Sequence, residues 1–221
     1  SNTALTDLRC NGNQLTSLDV SQNTELTKLY VGSNSLTSLD VSSNTALTDL
    51  RCNGNQLTSL DVEDNSGLLI LICNDNQLSS LDLNPELQNL YCNDNQLTSL
   101  DVSNTNLNIF NCSSNQLNYL SIKGLEDQLN SFYATNNDSL DCIETLDPIY
   151  ATENWTYANG NIDEGVSFSM DCLTPAGYTY VPDDNFEQAL IDLGYDDLLD
   201  DYVITDSINT VTTLNVSNDS I

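Results

Sequence analysis

Leucines recur through residues 5–137 at fixed positions, and the polar residues between them keep the same order in each copy. The segment LTDLRCNGNQLTSLDV occupies 5–20 and returns unchanged at 47–62, and 26–41 has the same spacing. Successive copies open 21, 21, 21, 19, 20 and 22 residues apart, at Leu5, Leu26, Leu47, Leu68, Leu87, Leu107 and Leu129. A period in this range indicates a solenoid of short stacked units.

Each copy predicts one short strand. Leu8 and Cys10 alternate with Asp7, Arg9 and Asn11, which is the period of a strand that buries one face. Parallel strands stack ~4.8 Å apart, so neighbouring copies bury their leucines against each other. A coil of this length leaves little room for helices, and the opposite side is expected to be extended or 3₁₀-like. We therefore predict six clear coils and a degenerate seventh that starts at Leu129.

The frame within each copy reads L-x-x-L-x-C-x-x-N-x-L, followed by x-x-L-x-V. This frame resembles the leucine-rich repeat family, L-x-x-L-x-L-x-x-N/C-x-L. The short period and the NQLTSLDVS-x-NT tail are similar to secreted proteins of flavobacteria and other Bacteroidetes, and more distantly to internalins. The resemblance implies a curved right-handed β-rich superhelix with a parallel sheet on its concave face. It also implies an extracellular location on the bacterial cell surface.

Two ladders of side chains follow from the frame. A buried amide is expected to satisfy backbone groups where the chain leaves each strand, at Asn13, Asn34, Asn55, Asn76, Asn95, Asn115 and Asn137. Thiols align at Cys10, Cys52, Cys73, Cys92 and Cys112, but Val31 and Ala134 fill the same position in other coils. A position that accepts Val, Ala and Cys needs a small apolar side chain. We expect these thiols to be buried and free.

A third ladder is acidic and runs through Asp19, Asp40, Asp61, Asp82 and Asp101. Each carboxylate is expected to accept N–H bonds of the turn in which it lies. Calcium bridging is the alternative, because calcium prefers carboxylate and carbonyl oxygens, but no D-x-D-x-D-G loop supports it. We favour the structural interpretation.

The repeats, 1–137, are followed by a region, 138–173, that resembles the cap of such surface proteins. Cys142 and Cys172 lie outside the ladder and flank a segment containing Trp155. A disulfide between them would close a loop of about 30 residues, stabilise the fold by roughly 3–4 kcal/mol, and imply an oxidising compartment.

The last region, 174–221, predicts a linker, a helix and a new repeat. VPDDNFEQALIDLG has the apolar spacing of a helix, with Asp183 as N-cap and Gly194 just past the end. Residues 211–221 again fit the repeat frame. The region resembles a small helical cap that opens a following solenoid, and the first residues, SNTAL, match the end of a preceding coil. We therefore expect a fragment of a longer protein with tandem cassettes.

Composition removes several classes of function. The chain has 33 acids, 4 bases and no histidine, a formal charge of −29. This charge disfavours nucleic acid and anionic membranes, and no apolar run is long enough for membrane insertion. Histidine-dependent catalysis is excluded, and no nucleophile motif or phosphate loop is visible, so we predict no enzyme.

No cofactor is expected except calcium, for which the candidates are Asp196, Asp197, Asp200 and Asp201. Bacteroidetes-type O-glycosylation is a hypothesis for Ser139 and Ser207.

The outward residues of the strands are the candidate ligand-binding set, since solenoids commonly bind on this face. They include Arg9, Lys28, Tyr30, Arg51, Ile72, Tyr91, Asn111 and Tyr133. The arginines either neutralise Asp7 and Asp49 or serve as anchors for a ligand together with the tyrosines.

Two functions fit this pattern. The first is a surface or secreted module that mediates adhesion or binds a protein or glycan. The alternative is a spacer or filament without a specific ligand, whose partners are neighbouring cassettes or subunits.

Overall fold

A computed structural model describes residues 2–172, 178–181, 184–196, 202–209 and 211–214. The chain divides into two compact units, Ser1–Met170 and Asp171–Ile221. The first unit is a parallel β-solenoid, and the chain makes about eight turns. The predicted domain boundaries at 137 and 173 and the following cassette stay predictions.

Every coil contributes a three-residue strand centred on the x-L-x stretch of the frame. The strands of the first unit are β1 (Asp7–Arg9), β2 (Lys28–Tyr30), β3 (Asp49–Arg51), β4 (Ile70–Ile72), β5 (Asn89–Tyr91), β6 (Ser99–Asp101), β7 (Ile109–Asn111), β8 (Tyr119–Ser121), β9 (Ser131–Tyr133), β10 (Cys142–Glu144) and β11 (Ser167–Ser169).

Seven of these strands form one parallel sheet in the order β1-β2-β3-β4-β5-β7-β9. The central residue of each strand pairs with the central residue of the next, as Leu50 pairs with Leu29 and Leu71. The central leucines from Leu29 onward are fully buried, and Phe110 and Phe132 replace them in β7 and β9. The predicted strand in each coil is therefore confirmed, with one outward residue on each side of the buried one.

A second parallel sheet, in the order β11-β10-β8-β6, was not predicted as such. Its strands β6 and β8 lie in the x-L-x-V part of the frame, where the sequence predicts extended or 3₁₀ structure. These segments pair because the coils before them stack in register, as shown by Leu100 opposite Leu120. Cys142–Glu144 and Ser167–Ser169 extend this sheet beyond the regular repeats.

The asparagine ladder satisfies the backbone as predicted. Asn76 accepts a bond from the Leu57 N–H at 3.0 Å and donates to the carbonyls of Cys52 and Cys73 at 3.1 and 3.0 Å. The same triad of bonds recurs at Asn55 and Asn95. One side chain thus joins two successive coils, and the recurrence of these bonds along the ladder makes the stack cooperative.

A second asparagine ladder, at the N-T position of the frame, escaped sequence analysis. Asn44 donates to the carbonyls of Val20 and Asn23, and Asn65 donates to those of Val41 and Asn44. Both side chains are fully buried. The 21-residue spacing from Asn23 to Asn44 to Asn65 was the available signal.

The turn after each strand requires a left-handed residue. The φ angles there lie between 54° and 71°, at Gly12, Ser33, Gly54, Asp75, Asp94, Ser114 and Asn136. Gly32 has a different reason: a Cβ there would meet Asn53 Oδ1 at 2.6 Å. The small residue lets the Asn53 side chain cross the neighbouring coil.

The end of the first unit carries helix α1 (Pro148–Asn154). Proline is favoured in the first turn, and the Asp147 side chain accepts a bond from the Tyr150 N–H at 2.9 Å as N-cap. Trp155 ends the helix and packs edge-on against Phe132, with ring centroids 5.1 Å apart. The disulfide between Cys142 and Cys172 is confirmed.

The second unit pairs β12 (Tyr178–Tyr180) with β13 (Tyr202–Ile204) in antiparallel register and contains helices α2 (Asp184–Asp192) and α3 (Thr205–Ile208). Val181, Leu190 and Val203 form its buried core. The predicted helix is confirmed, and Gly194 follows it with a φ of 79°. The predicted N-cap Asp183 and most of the repeat at 211–221 lie outside the described residues.

Candidate ligand-binding face of the seven-stranded sheet

The outward residues of the seven-stranded sheet form two parallel columns, which we call the strip. The register places the first residues of the strands in one column and the third residues in the other. The first column is Asp7, Lys28, Asp49, Ile70, Asn89, Ile109 and Ser131, and the second is Arg9, Tyr30, Arg51, Ile72, Tyr91, Asn111 and Tyr133. All eight predicted binding residues therefore lie on one continuous face.

The charged half of the strip, β1–β3, pairs its charges internally. Arg9 donates two bonds of 2.9 Å to the Asp7 carboxylate. Arg51 makes the same bidentate contact with Asp49, at 2.9 and 3.0 Å. Lys28 lies between the two aspartates in the first column. Opposite charges thus alternate along the first column, which favours stacking of these three coils, and Tyr30 separates the two arginines in the second column.

Tyr30 lies between the two arginines and fixes their geometry. The guanidinium carbons of Arg9 and Arg51 lie 4.7 and 4.5 Å from its ring centroid, a cation–π distance on both sides. Its hydroxyl donates to Asp49 Oδ2 at 2.6 Å. This hydrogen bond to a carboxylate, together with burial, raises the pKa of Tyr30 above its ordinary value. Asp49 accepts from both neighbours and is buried.

The neutral half of the strip consists of β4, β5, β7 and β9 and has no charged residue in either column. It presents aliphatic, aromatic and amide side chains, all half-buried except Tyr133, which is 42% exposed. Tyrosine supplies rigid contact area and asparagine supplies adaptable hydrogen bonds, the combination found in recognition surfaces. In a chain with a formal charge of −29, this neutral band is the part of the sheet suited to a closely packed ligand.

These contacts bear on both explanations of the outward residues. The ion pairs of Arg9 and Arg51 match the neutralising explanation for the charged half. For the neutral half, with Ile72, Tyr91, Asn111 and Tyr133, the recognition explanation stays a prediction.

The cysteine ladder lies beneath the strip and is chemically protected. Cys52, Cys73, Cys92 and Cys112 are fully buried and free, and Cys10 in the first coil is half-buried. Burial raises the pKa of the Cys52 thiol to about 12. The thiolate, which is the reactive form, is therefore suppressed, and packing accounts for the ladder as predicted.

Four of the five aspartates of the acidic ladder accept turn hydrogen bonds as predicted. The backbone N–H groups two residues later donate to Asp19, Asp40, Asp61 and Asp101 at 2.9–3.0 Å. These bonds, with the hydroxyls of Ser21 and Ser42 as the larger cause, lower the pKa of Asp19 and Asp40. Within the described ranges, no three carboxylates or thiols are grouped closely enough to hold a metal ion.

For the calcium and glycosylation candidates, the structure gives only the positions of the residues that it describes. Of the calcium candidates, Asp197, Asp200 and Asp201 lie outside the described residues, so calcium at this segment stays a prediction. Ser139 is exposed and Ser207 is half-buried in α3. Among the helices that the structure describes, none combines the length and apolar character needed to cross a bilayer.

Among the solved structures that this chain resembles are two leucine-rich repeat proteins. The functional domain of InlJ from Listeria monocytogenes, described as including a cysteine ladder, is 33% identical, with a TM-score of 0.46. The match covers 65% of this chain and 39% of that one. The leucine-rich repeat domain of APL1B is 16% identical over 80% of this chain and 78% of its own, with a TM-score of 0.41. No family model and no curated protein matches the sequence.

Both TM-scores lie below 0.5, so the fold is assigned on the chain's own repeat frame, strand register and asparagine ladder. Those three features agree on every coil of the seven-stranded sheet. The chain folds as a leucine-rich repeat solenoid with a disulfide between Cys142 and Cys172.

Proposed function

We propose that this chain is a non-catalytic recognition module that works outside the cell and binds a protein or glycan ligand through the strip. The carrying observation is the neutral half of the strip, where Ile72, Tyr91 and Tyr133 project in register from a rigid parallel sheet. Three-residue strands held by buried ladders keep these side chains in place before binding. Preorganised side chains lose little entropy on association, which favours affinity.

The extracellular and bacterial-surface location is part of the proposal. The Cys142–Cys172 disulfide supports it, because structural disulfides persist in oxidising compartments. The four fully buried ladder thiols are compatible with such a compartment, since burial keeps them from exchange. We also propose an adhesive role and tandem cassettes. The first rests on the resemblance of the repeats to secreted surface proteins, and the second on the repeat frame at 211–221.

A spacer without a specific ligand is the second candidate, and the charged half favours it. Asp7, Arg9, Tyr30, Asp49 and Arg51 satisfy one another. A surface that pairs its own charges offers little to a partner. If the chain is a spacer, no part of the strip is expected to bind a specific ligand.

The test compares binding of three forms of the chain to a panel of extracellular proteins and glycans. We expect the parent chain to bind at least one member, and the pair Ile72→Ser and Tyr91→Ser to lower that affinity by at least about tenfold. The matched control, Leu146→Ser with Tyr157→Ser, removes one aliphatic and one aromatic side chain that are 55% and 59% exposed outside the strip. It should bind like the parent.

Equal binding by all three forms would place the ligand elsewhere and overturn the assignment to the strip. A parent chain that binds nothing on a broad panel would favour the spacer. Thermal unfolding of each form separates lost contacts from lost fold.

A further inference from the structure

An open cleft of about 460 Å³ lies at the last strand of the strip, between β9 and helix α1. Its volume falls within the ~300–1,000 Å³ typical of small-molecule sites. Ser131 and Tyr133, the outward residues of β9, form one wall, so the two columns of the strip run directly into it. The cleft belongs wholly to the first unit.

The lining of this cleft is free of charge. It combines aromatic rings with side-chain amides, chiefly Tyr133, Tyr150, Asn130, Asn154, Asn159 and Asn161. By contrast, two grooves along the acidic ladder, of about 320 and 690 Å³, both have aspartates and serines in their lining, and the larger has more aliphatic residues than the smaller. A neutral, amide-rich cleft is therefore a distinct chemical environment in this acidic chain.

The walls of the cleft are held from behind. Asn161 donates to the Phe132 carbonyl at 2.9 Å and accepts from the Thr156 N–H at 3.2 Å. Asn154 donates to the Tyr150 carbonyl at 2.9 Å, which leaves its carbonyl oxygen for a ligand. Trp155, nearly buried, packs edge-on against Tyr150 with centroids 5.8 Å apart. These contacts preorganise the site, while the Asn159 and Tyr133 side chains stay exposed.

We infer that this cleft binds one or two units of a neutral carbohydrate at the end of the strip. An amide offers a donor and an acceptor side by side, which matches neighbouring sugar hydroxyls. An exposed tyrosine ring offers an apolar face to the C–H groups of a pyranose. The surrounding negative potential disfavours a sugar that carries carboxylate or sulfate.

This inference rests on the proposed function and names the ligand class at one end of the same face. A peptide is the other macromolecular ligand that the strip could receive. The neutral lining and dominance of amides over aliphatic side chains favour the sugar at this position. No charged group is present to read a peptide terminus or an acidic or basic side chain.

The experiment is an NMR titration of the ¹⁵N-labelled 221-residue chain with maltotriose, cellotriose, lactose, mannobiose and triacetylchitotriose. We expect at least one sugar to shift the side-chain amide signals of Asn154, Asn159 and Asn161, and 6′-sialyllactose to shift them less. Tyr133→Ala and Asn159→Ala should each weaken that sugar by about tenfold or more.

Two exposed residues outside the cleft supply matched controls. Tyr157→Ala removes a ring that is 59% exposed in the same region, and Asn104→Ala removes an exposed amide. Both should leave the dissociation constant within about twofold of the parent, a change of less than 0.5 kcal/mol. Circular dichroism and melting temperature report whether each variant folds.

The failures of the two proposals are distinguishable. Sugar shifts that map to Ile72 and Tyr91, or sugar binding unchanged by Tyr133→Ala and Asn159→Ala, overturn the cleft and leave the strip as a binding face. If the chain binds a protein through the strip and no sugar shifts the cleft amides, the carbohydrate inference fails and the proposed function stands. Loss of all strip-dependent binding while sugars still shift the cleft amides refutes the proposed function of the strip but retains the cleft.

Discussion

The two halves of the strip share one scaffold and differ in what they leave unsatisfied. In β1–β3 the arginines, aspartates and Tyr30 form a closed network across three coils. In β4, β5, β7 and β9 the same positions hold Ile, Tyr, Asn and Ser, which carry no charge and so make no ion pairs across the columns. A repeat can thus keep its interior constant while adjacent surface segments stabilise the stack in one half and are free for the proposed recognition in the other.

The largest effect should come from the shared scaffold. We predict that Asn76→Ala lowers the free energy of unfolding by about 2–4 kcal/mol, because a buried N–H and two carbonyls lose their partner. Asn13→Ala should cost less than about 1 kcal/mol, since Asn13 is exposed and donates only within its own coil. Urea denaturation measures both. Equal losses would show that burial does not set the strength of the ladder.

The closed network of the charged half should respond next. Asp49→Ala leaves Arg51 and the Tyr30 hydroxyl without their acceptor, and we expect a loss of about 1–3 kcal/mol. Asp7→Ala removes an equivalent but exposed pair and should cost much less. The comparison is clean because both aspartates lie in identical 16-residue segments. A double-mutant cycle of Asp49→Ala with Arg51→Ala should give a coupling energy well above zero. A coupling energy of zero would disprove the network.

The hydroxyl of Tyr30 makes a pH-dependent contribution. Its pKa is raised above the ordinary 10.0, mainly by the hydrogen bond to Asp49, so the folded state favours the neutral phenol. The resulting stability is complete below pH 10 and is lost as pH rises through the folded pKa. Tyr30→Phe should lower stability by about 0.5–1.5 kcal/mol at pH 8. Unfolding curves of the parent and variant should converge above pH 10, and a constant gap would contradict this mechanism.

The smallest effect on stability should come from the neutral half. Tyr91→Ala removes a half-buried ring from the outward face, and we expect a change within about 1 kcal/mol. Its effect on ligand affinity should be larger than that of Arg9→Ala. The neutral half would then matter more for binding, whereas the charged half matters more for stability. Binding and unfolding measured on the same preparations decide this, since a ligand that depends equally on Arg9 and Tyr91 would erase the distinction between them.

Identical sequence in two coils shows where prediction from sequence ends. Leu50 and Cys52 in the third coil are fully buried, whereas Leu8 and Cys10 in the first coil are half-buried. The frame predicts the inward direction of all four side chains. The extent of burial depends on whether the structure has a coil stacked on both sides, and no pattern within one repeat encodes that.

The cap shows the same division. The sequence set Cys142, Cys172 and Trp155 apart from the repeats, and the resemblance implied a cap there. The second sheet and the cleft between β9 and α1 were not predicted. The cleft in particular exists only where β9 and α1 lie side by side in the folded chain. Tyr133 and Asn159, for example, line the same cleft in the structure in which Trp155 packs on Phe132.

The amino-acid sequence by itself determined the repeat length, the inward leucines, the separation of the ladder cysteines from Cys142 and Cys172, and the asparagine ladder. These features depend on spacing and side-chain type, which are the same in each repeat whether or not the coils are stacked. Only the tertiary structure decided that Tyr30 lies between two arginines, that Asp49 is buried, and that the neutral half of the strip ends in an amide-lined cleft. Each of these depends on side chains from different coils meeting at van der Waals distance, and that distance exists only once the coils are stacked.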